Sequence, residues 1–274
     1  MVSWSGHIIP FIVTVAIWFF ATGLIAWADN REKATFSRSL MIAGGAGLAG
    51  LIAILISSQS ASVTAVYISF IGALAVWGWQ EVGFLTGAVA GPRREPCPEG
   101  VQGIERFTQA SATVIYHEIA LALTGLMLIS VSWNAPNQIG ATVFMLLFAM
   151  RLLAKLNMFA GVPNTSVEIL PPHLDYLKSY FGPNRMTIWL AATVILIAGL
   201  ATWFGSLATA ATATNAETVG ASLLFALCVL GALEHLFLAL PFRDGMLWGW
   251  ALPRRKARAV TTPDSRTQVY GKKG

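Results

Sequence analysis

The strongest constraint on this chain is a set of long runs without a formally charged side chain. Residues 1–28, 39–80, 119–150 and 186–207 contain no Asp, Glu, Lys or Arg. A helix rises about 1.5 Å per residue, so about 20 apolar residues cross a ~30 Å hydrocarbon layer. Cut on that ruler, the chain holds seven spans, at about 8–28, 39–56, 63–83, 110–132, 139–156, 186–207 and 218–240. The run 39–80 is split at Ser57-Ser58-Gln59-Ser60, and the run 119–150 at the polar stretch 133–138. Only 11% of the residues are charged, against roughly 25% in a soluble domain, which excludes a water-soluble globule. The expected fold is all-α, a polytopic integral membrane protein with one transmembrane domain over 1–253. A basic, disordered tail is expected over 254–274, because that stretch lacks apolar periodicity.

The net charge of +5 would suit a nucleic-acid partner, but the basic residues sit where membrane topology needs them. Of 18 Lys and Arg, none precedes the first span or lies in the loops 57–62, 133–138 and 208–217. Three lie in 29–38, three in 91–109, four in 151–185 and eight from 241 onward. By the positive-inside rule the amino terminus is outside and the carboxy terminus cytoplasmic. No nucleic-acid partner is expected. The first apolar run lacks a basic leader and a small-x-small cleavage pattern, so it is expected to stay in the mature protein. Cys97 and Cys228 are too few for a disulfide framework or a cysteine-based metal site. The seventh span, 218–240, has no lysine, which excludes a rhodopsin-type Schiff base.

An ionisable side chain at membrane depth costs several kcal/mol unless paired or hydrated, so each one is a candidate functional group. They are Glu81 in the third span, His117 and Glu118 in the fourth, Arg151 and Lys155 in the fifth, and Glu234 and His235 in the seventh. Counted as one straight helix from Arg106, the fourth span carries His117 about 11 residues, or roughly 17 Å, inward. The pairs run His-Glu and then Glu-His on antiparallel spans, so two carboxylates, two imidazoles and two cations can meet at one level. Three readings stand. The charges pair and pin helices together; the imidazoles ligate a tetrapyrrole or metal, with Glu118 and Glu234 orienting them; or the groups line a proton or ion path. Adjacent residues point about 100° apart, and the i, i+3 Glu-x-x-His pattern of dinuclear iron bundles is absent, which disfavours a metal oxidase.

Two loop segments stand out. After the fifth span, Gly161 and Pro163-Asn164 end the helix. From Pro172 on, Leu174, Leu177 and Phe181 alternate with His173, Asp175 and Lys178, as expected for a short helix on the cytoplasmic face within an interfacial segment 157–185. It serves as a plain connector, or as a docking element presenting His173, Tyr176 and Tyr180. Past the seventh span, Trp248 and Trp250 adjoin the cluster Arg254, Arg255, Lys256 and Arg258, which reads as a membrane-surface anchor.

Several strings resemble the PuhE family, the photosynthetic complex assembly protein 2 of anoxygenic phototrophic bacteria. They are Trp18-Phe-Phe-Ala-Thr-Gly23, Tyr116-His-Glu118, Lys155-Leu-Asn-Met-Phe-Ala-Gly-Val-Pro-Asn164, Leu170-Pro-Pro-His-Leu-Asp-Tyr-Leu-Lys-Ser-Tyr-Phe181, Glu234-His-Leu-Phe-Leu-Ala-Leu-Pro241 and Leu247-Trp-Gly-Trp-Ala-Leu252. The resemblance implies a protein of the bacterial cytoplasmic, intracytoplasmic photosynthetic membrane. It implies support for assembly of the reaction centre and core antenna, by binding or delivering bacteriochlorophyll or modulating its synthesis. Expected partners are the lipid bilayer and reaction-centre and core-antenna subunits or pigment-synthesis enzymes. The candidate pigment or metal site is Glu81, His117, Glu118, Glu234 and His235, the cofactor being bacteriochlorophyll or a related tetrapyrrole. Lys155, Asn157, Pro163, Asn164, His173, Tyr176 and Tyr180 are candidate partner-binding residues. The alternative function is a metal- or carboxylate-dependent membrane enzyme of bacteriochlorophyll biosynthesis.

Overall fold

The computed structural model describes residues 2–165, 170–241 and 244–251, and among these it is all-helical. The helices are α1 (Ile9–Asp29, entered through a π-helical turn Trp4–Ile8), α2 (Phe36–Ser57), α3 (Val63–Leu85), α4 (Gly103–Ala112), α5 (Ile115–Val131), α6 (Ile139–Ala160), α7 (Ile188–Ala208) and α8 (Asn215–Ala239). Six of these, α1, α2, α3, α6, α7 and α8, are each long and apolar enough to cross a membrane. The bent pair α4–α5 makes a seventh if it is counted as one span. The basic tail 254–274 lies outside the described residues.

The bundle is apolar on its outside as well as in its core. Large apolar side chains such as Phe20, Ile42, Ile56, Leu123, Ile188 and Ile195 stand exposed around the outside, while Thr14, Ser69, Asn157, Thr193 and both span histidines are buried. An apolar exterior of this kind is contact surface for lipid, and helix association then depends on close packing and interhelical hydrogen bonds. Gly50 of α2 faces Gly72 of α3 so closely that a Cβ on Gly50 would lie 2.5 Å from the Gly72 carbonyl oxygen. At the end of the bundle holding the 57–62 and 133–138 loops, Ser57 Oγ lies 2.7 Å from Ser69 Oγ. Asn137 Nδ2 donates to Ser69 Oγ and to the Ser57 carbonyl, which ties α2, α3 and the start of α6 into one polar knot.

At the other end the loops carrying the basic residues fold over one another. Arg106 of α4 donates to the carbonyls of Tyr180 (2.5 Å) and Phe159, and its guanidinium sits 4.2 Å from the centre of the Phe159 ring. Arg93 Nε donates to Tyr180 Oη at 2.6 Å, and that hydroxyl donates to the Glu95 carbonyl. The segment Pro172–Tyr180 is a 3-10 helix. Three residues per turn stack i, i+3 and i+6, so Leu174, Leu177 and Tyr180 form its buried row, with Tyr180 in the place expected of Phe181.

Three sequence expectations change. The fourth span is not one straight helix from Arg106: α4 and α5 meet at a 68° bend, and His117 is the third residue of α5. The 17 Å depth counted along an unbroken helix therefore does not apply. Trp248 is not an exposed anchor; it is 3% exposed and donates its indole N–H to the Phe19 carbonyl at 2.8 Å. Gly23 makes the room, since a Cβ there would run into the rings of Trp250 and Trp248. The strings 18–23 and 247–252 thus pack on each other. Span and α-helix otherwise agree closely, α6 ending at Gly161, whose φ of +116° no L side chain adopts easily.

Candidate functional site

Three helices bring most of the ionisable groups together. Glu81 sits four residues before the end of α3, His117 and Glu118 in the first turn of α5, and Arg151 and Lys155 one turn apart on α6. The spacing of Arg151 and Lys155 puts both on one face, so each meets a carboxylate from a different neighbour. Arg151 Nη2 lies 3.3 Å from Glu81 Oε2, and Lys155 Nζ lies 2.5 Å from Glu118 Oε1. Phe84, one turn beyond Glu81, stacks on His117 at 4.8 Å between ring centroids, and Lys155 Nζ is 4.9 Å from the same ring centre. The His117 amide bonds to the carbonyl of Ala90, which ties the turn after α3 to the start of α5.

Pairing leaves a remainder. Among the described residues, both ring nitrogens of His117, Oε2 of Glu118, Oε1 of Glu81, Nε of Arg151 and both oxygens of Asp29 are buried without a hydrogen-bond partner. Buried polar groups are nearly always satisfied, so these atoms are the unused hydrogen-bonding capacity of this part of the bundle. Asp29 was not signalled by the sequence, because it reads as the first polar residue after a span. It is 2% exposed, one step further along the row Gly23, Ala26 that α1 turns inward, and it feels the charge of Glu81.

The second pair is arranged differently. Glu234 lies on the exposed face of α8 and accepts a hydrogen bond from Trp18 Nε1 at 2.6 Å. His235, about 100° around the helix, is 2% exposed. Its Nδ1 lies 2.7 Å from the Gly231 carbonyl, while Nε2 is buried without a hydrogen-bond partner. The expected orienting role of the carboxylates is therefore not seen: Lys155 takes Glu118, Trp18 takes Glu234, and a backbone carbonyl holds His235. α5 packs against α3 and α6, and α8 packs mainly on α7, α1 and α3. No three His, Cys, Asp or Glu side chains converge as a metal-binding set among the described residues.

The loop candidates are used inside the chain. Asn157 is buried and donates to Thr193 Oγ1 at 2.9 Å; Asn164 donates through its side chain to Phe237 O and through its backbone to Leu238 O. Pro163 is half-buried in the turn between them. His173 Nε2 lies 2.7 Å from the Leu85 carbonyl, Tyr180 is buried in the Arg93 contact, and the Tyr176 hydroxyl is buried without a hydrogen-bond partner. Burial lowers the His173 pKa from its ordinary value, and the nearby charges of Lys33 and Arg94 push the same way, against the Leu85 hydrogen bond.

A lipid-exposed helical bundle with a buried, partly unpaired set of carboxylates, imidazoles and cations defines a multi-pass membrane protein with a polar interior site. The chain belongs to the family described as "Protein of unknown function (DUF3623)", which matches residues 4–259. It is 36% identical over 260 residues to the "Uncharacterized 30.4 kDa protein in puhA 5'region" of Rhodobacter capsulatus, covering 92% of this chain and 93% of that protein. That relationship agrees with the PuhE resemblance carried by the sequence strings. No solved structure matches the chain.

Proposed function

We propose that this protein is a non-catalytic factor that supports assembly of the photosynthetic reaction centre and core antenna, handling bacteriochlorophyll through a buried imidazole. The relative named for the region 5' of puhA supports the photosynthetic setting. In this reading the end carrying the basic loops faces the cytoplasm of the photosynthetic membrane, supported by the segregation of Lys and Arg.

The observation that carries the pigment reading is the geometry of His235. A carbonyl oxygen only accepts, so the Nδ1 contact with Gly231 puts the ring hydrogen on Nδ1 and leaves the Nε2 lone pair free. That is how proteins commonly hold an imidazole that serves as an axial ligand. The donor set fits a single axial nitrogen rather than a polydentate metal centre, since no convergent three-ligand group exists among the described residues. A chlorin magnesium bound there would supply a Lewis-acidic centre for that lone pair. The notch at Gly231, on the same face of α8 one turn away, is filled by Met150, so a ring would reach Nε2 only by displacing that side chain and its neighbours. His117, stacked on Phe84 with both nitrogens unpartnered, is the second imidazole open to the same use.

The test is replacement of His235 by Ala and of Glu118 by Gln in the phototrophic host, following pulse-labelled reaction-centre subunits together with extracted pigment precursors. Slow complex assembly with a normal precursor pool is expected. Accumulation of one specific precursor would instead favour a membrane enzyme of pigment biosynthesis built on Glu81, Glu118 and Asp29.

A further inference from the structure

We propose that the basic end of the bundle contains a site for a phosphate group, formed by Lys33, Arg94 and Tyr176, with His173 in its wall. These residues line a cavity of about 250 Å³ together with Phe36, Gly87 and others. The cavity lies between the α1–α2 connection, the turn after α3 and the 3-10 helix Pro172–Tyr180. It is smaller than the ~300–1,000 Å³ pockets that enclose a whole drug-sized ligand, so it takes a head group and not the body of a molecule.

The lining chemistry is one-sided. Lys33 and Arg94 supply positive charge, and no Asp or Glu is among the lining residues. Arg94 is positioned by donating Nη2 to the Gly87 carbonyl at 3.0 Å, which commits one of its five donors. Lys33 makes no ion pair among the described residues. The Tyr176 hydroxyl is buried without a hydrogen-bond partner, a donor with nothing to give to. His173 gives its Nε2 hydrogen to Leu85 O and packs on the Phe36 ring at 5.5 Å, so its Nδ1 is an acceptor and the imidazole shapes the cavity without supplying a donor. The charges acting on that ring are those of Lys33 and Arg94, both positive. Two cations and a phenol around a small cavity are a donor set suited to a phosphate oxyanion. The site is separate from the His235 seam, and the proposal stands whether or not pigment binds there.

Phosphate chemistry reaches this place from two sources, a lipid head group or a soluble phosphate compound. The experiment uses the full-length protein in dodecyl maltoside and follows its thermal unfolding during titration with inorganic phosphate or with dihexanoyl-phosphatidylglycerol. The variants are Lys33→Gln/Arg94→Gln and the near-isosteric Tyr176→Phe. A saturable upward shift is expected, with apparent affinity falling at least tenfold in the charge variant and several-fold in Tyr176→Phe. A response to inorganic phosphate identifies a soluble compound as the source, and a response to the lipid alone identifies a head group. No saturable shift with either probe overturns the proposal. So does a shift that weakens in the charge variant but not in Tyr176→Phe, because that describes diffuse attraction to a basic surface.

Discussion

Lys155 Nζ lies 2.5 Å from Glu118 Oε1, and each side chain is only 16% exposed, so α5 and α6 are joined through an ion pair sheltered from water. Removing one partner strands the other charge in a low-dielectric interior. Lys155→Met or Glu118→Leu alone should therefore destabilise the protein by about 3–5 kcal/mol, whereas the double substitution should be close to neutral. Thermal unfolding of the four forms in detergent gives the double-mutant cycle directly.

Trp248 should behave as a core residue although it follows the last membrane-spanning helix. Trp248→Ala should cost about 3–5 kcal/mol, as expected for loss of a buried large aromatic. Gly23→Leu should displace the same segment through its contacts with Trp248 and Trp250. Because both changes act on one contact, their effects on unfolding temperature should fall well short of additive.

The Arg106 guanidinium holds the carbonyls of Phe159 and Tyr180 together, so a lysine there keeps the charge but loses the fork. Arg106→Lys should loosen the 157–185 layer by about 1–3 kcal/mol. Faster limited proteolysis between α6 and α7, with little change in global unfolding temperature, is the expected readout.

A pH dependence follows from His173. Its folded-state pKa is held below 6.5, chiefly by burial, so the opened loop layer binds more protons than the closed one as pH falls. The stabilising contribution is complete above about pH 6.5 and is lost as the pH drops from there toward the lowered folded value. Hydrogen exchange over 85–97 and 170–181 should accelerate on acidification through that window. His173→Gln should flatten the response.

Most of the bundle was legible because a membrane imposes length. The hydrocarbon ruler places α2, α3, α6, α7 and α8 within a few residues of their bounds, and Gly161 marks the end of α6. The bend between α4 and α5 was not legible. Its cause is a break at Thr113 and Val114, neither of them a strong helix breaker, beside a Gly91 that the Ala112–Thr113 backbone approaches closely. The ionisable residues at the site were found by their rarity, and Glu81, Glu118, Arg151 and Lys155 do pair across helices. Which carboxylate meets which cation was not in the string, nor was the inward turn of His235 beside the exposed Glu234. Both depend on how each helix is rotated, and nearly uniform apolar helices carry no amphipathic signal to fix that rotation. Asp29 was hidden for the same reason, since only the facing of α1 decides whether its last residue meets water or the interior.

If an unpartnered imidazole holds a pigment, that pigment should travel with the purified protein. The most direct measurement is the absorption spectrum, with magnesium analysis, of the protein purified in mild detergent from a phototrophic host, beside His235→Ala and His117→Ala. A bacteriochlorophyll band with stoichiometric magnesium is expected, lost in His235→Ala at unchanged protein yield. A colourless, magnesium-free protein, or a band of undiminished strength in both variants, would contradict the pigment reading.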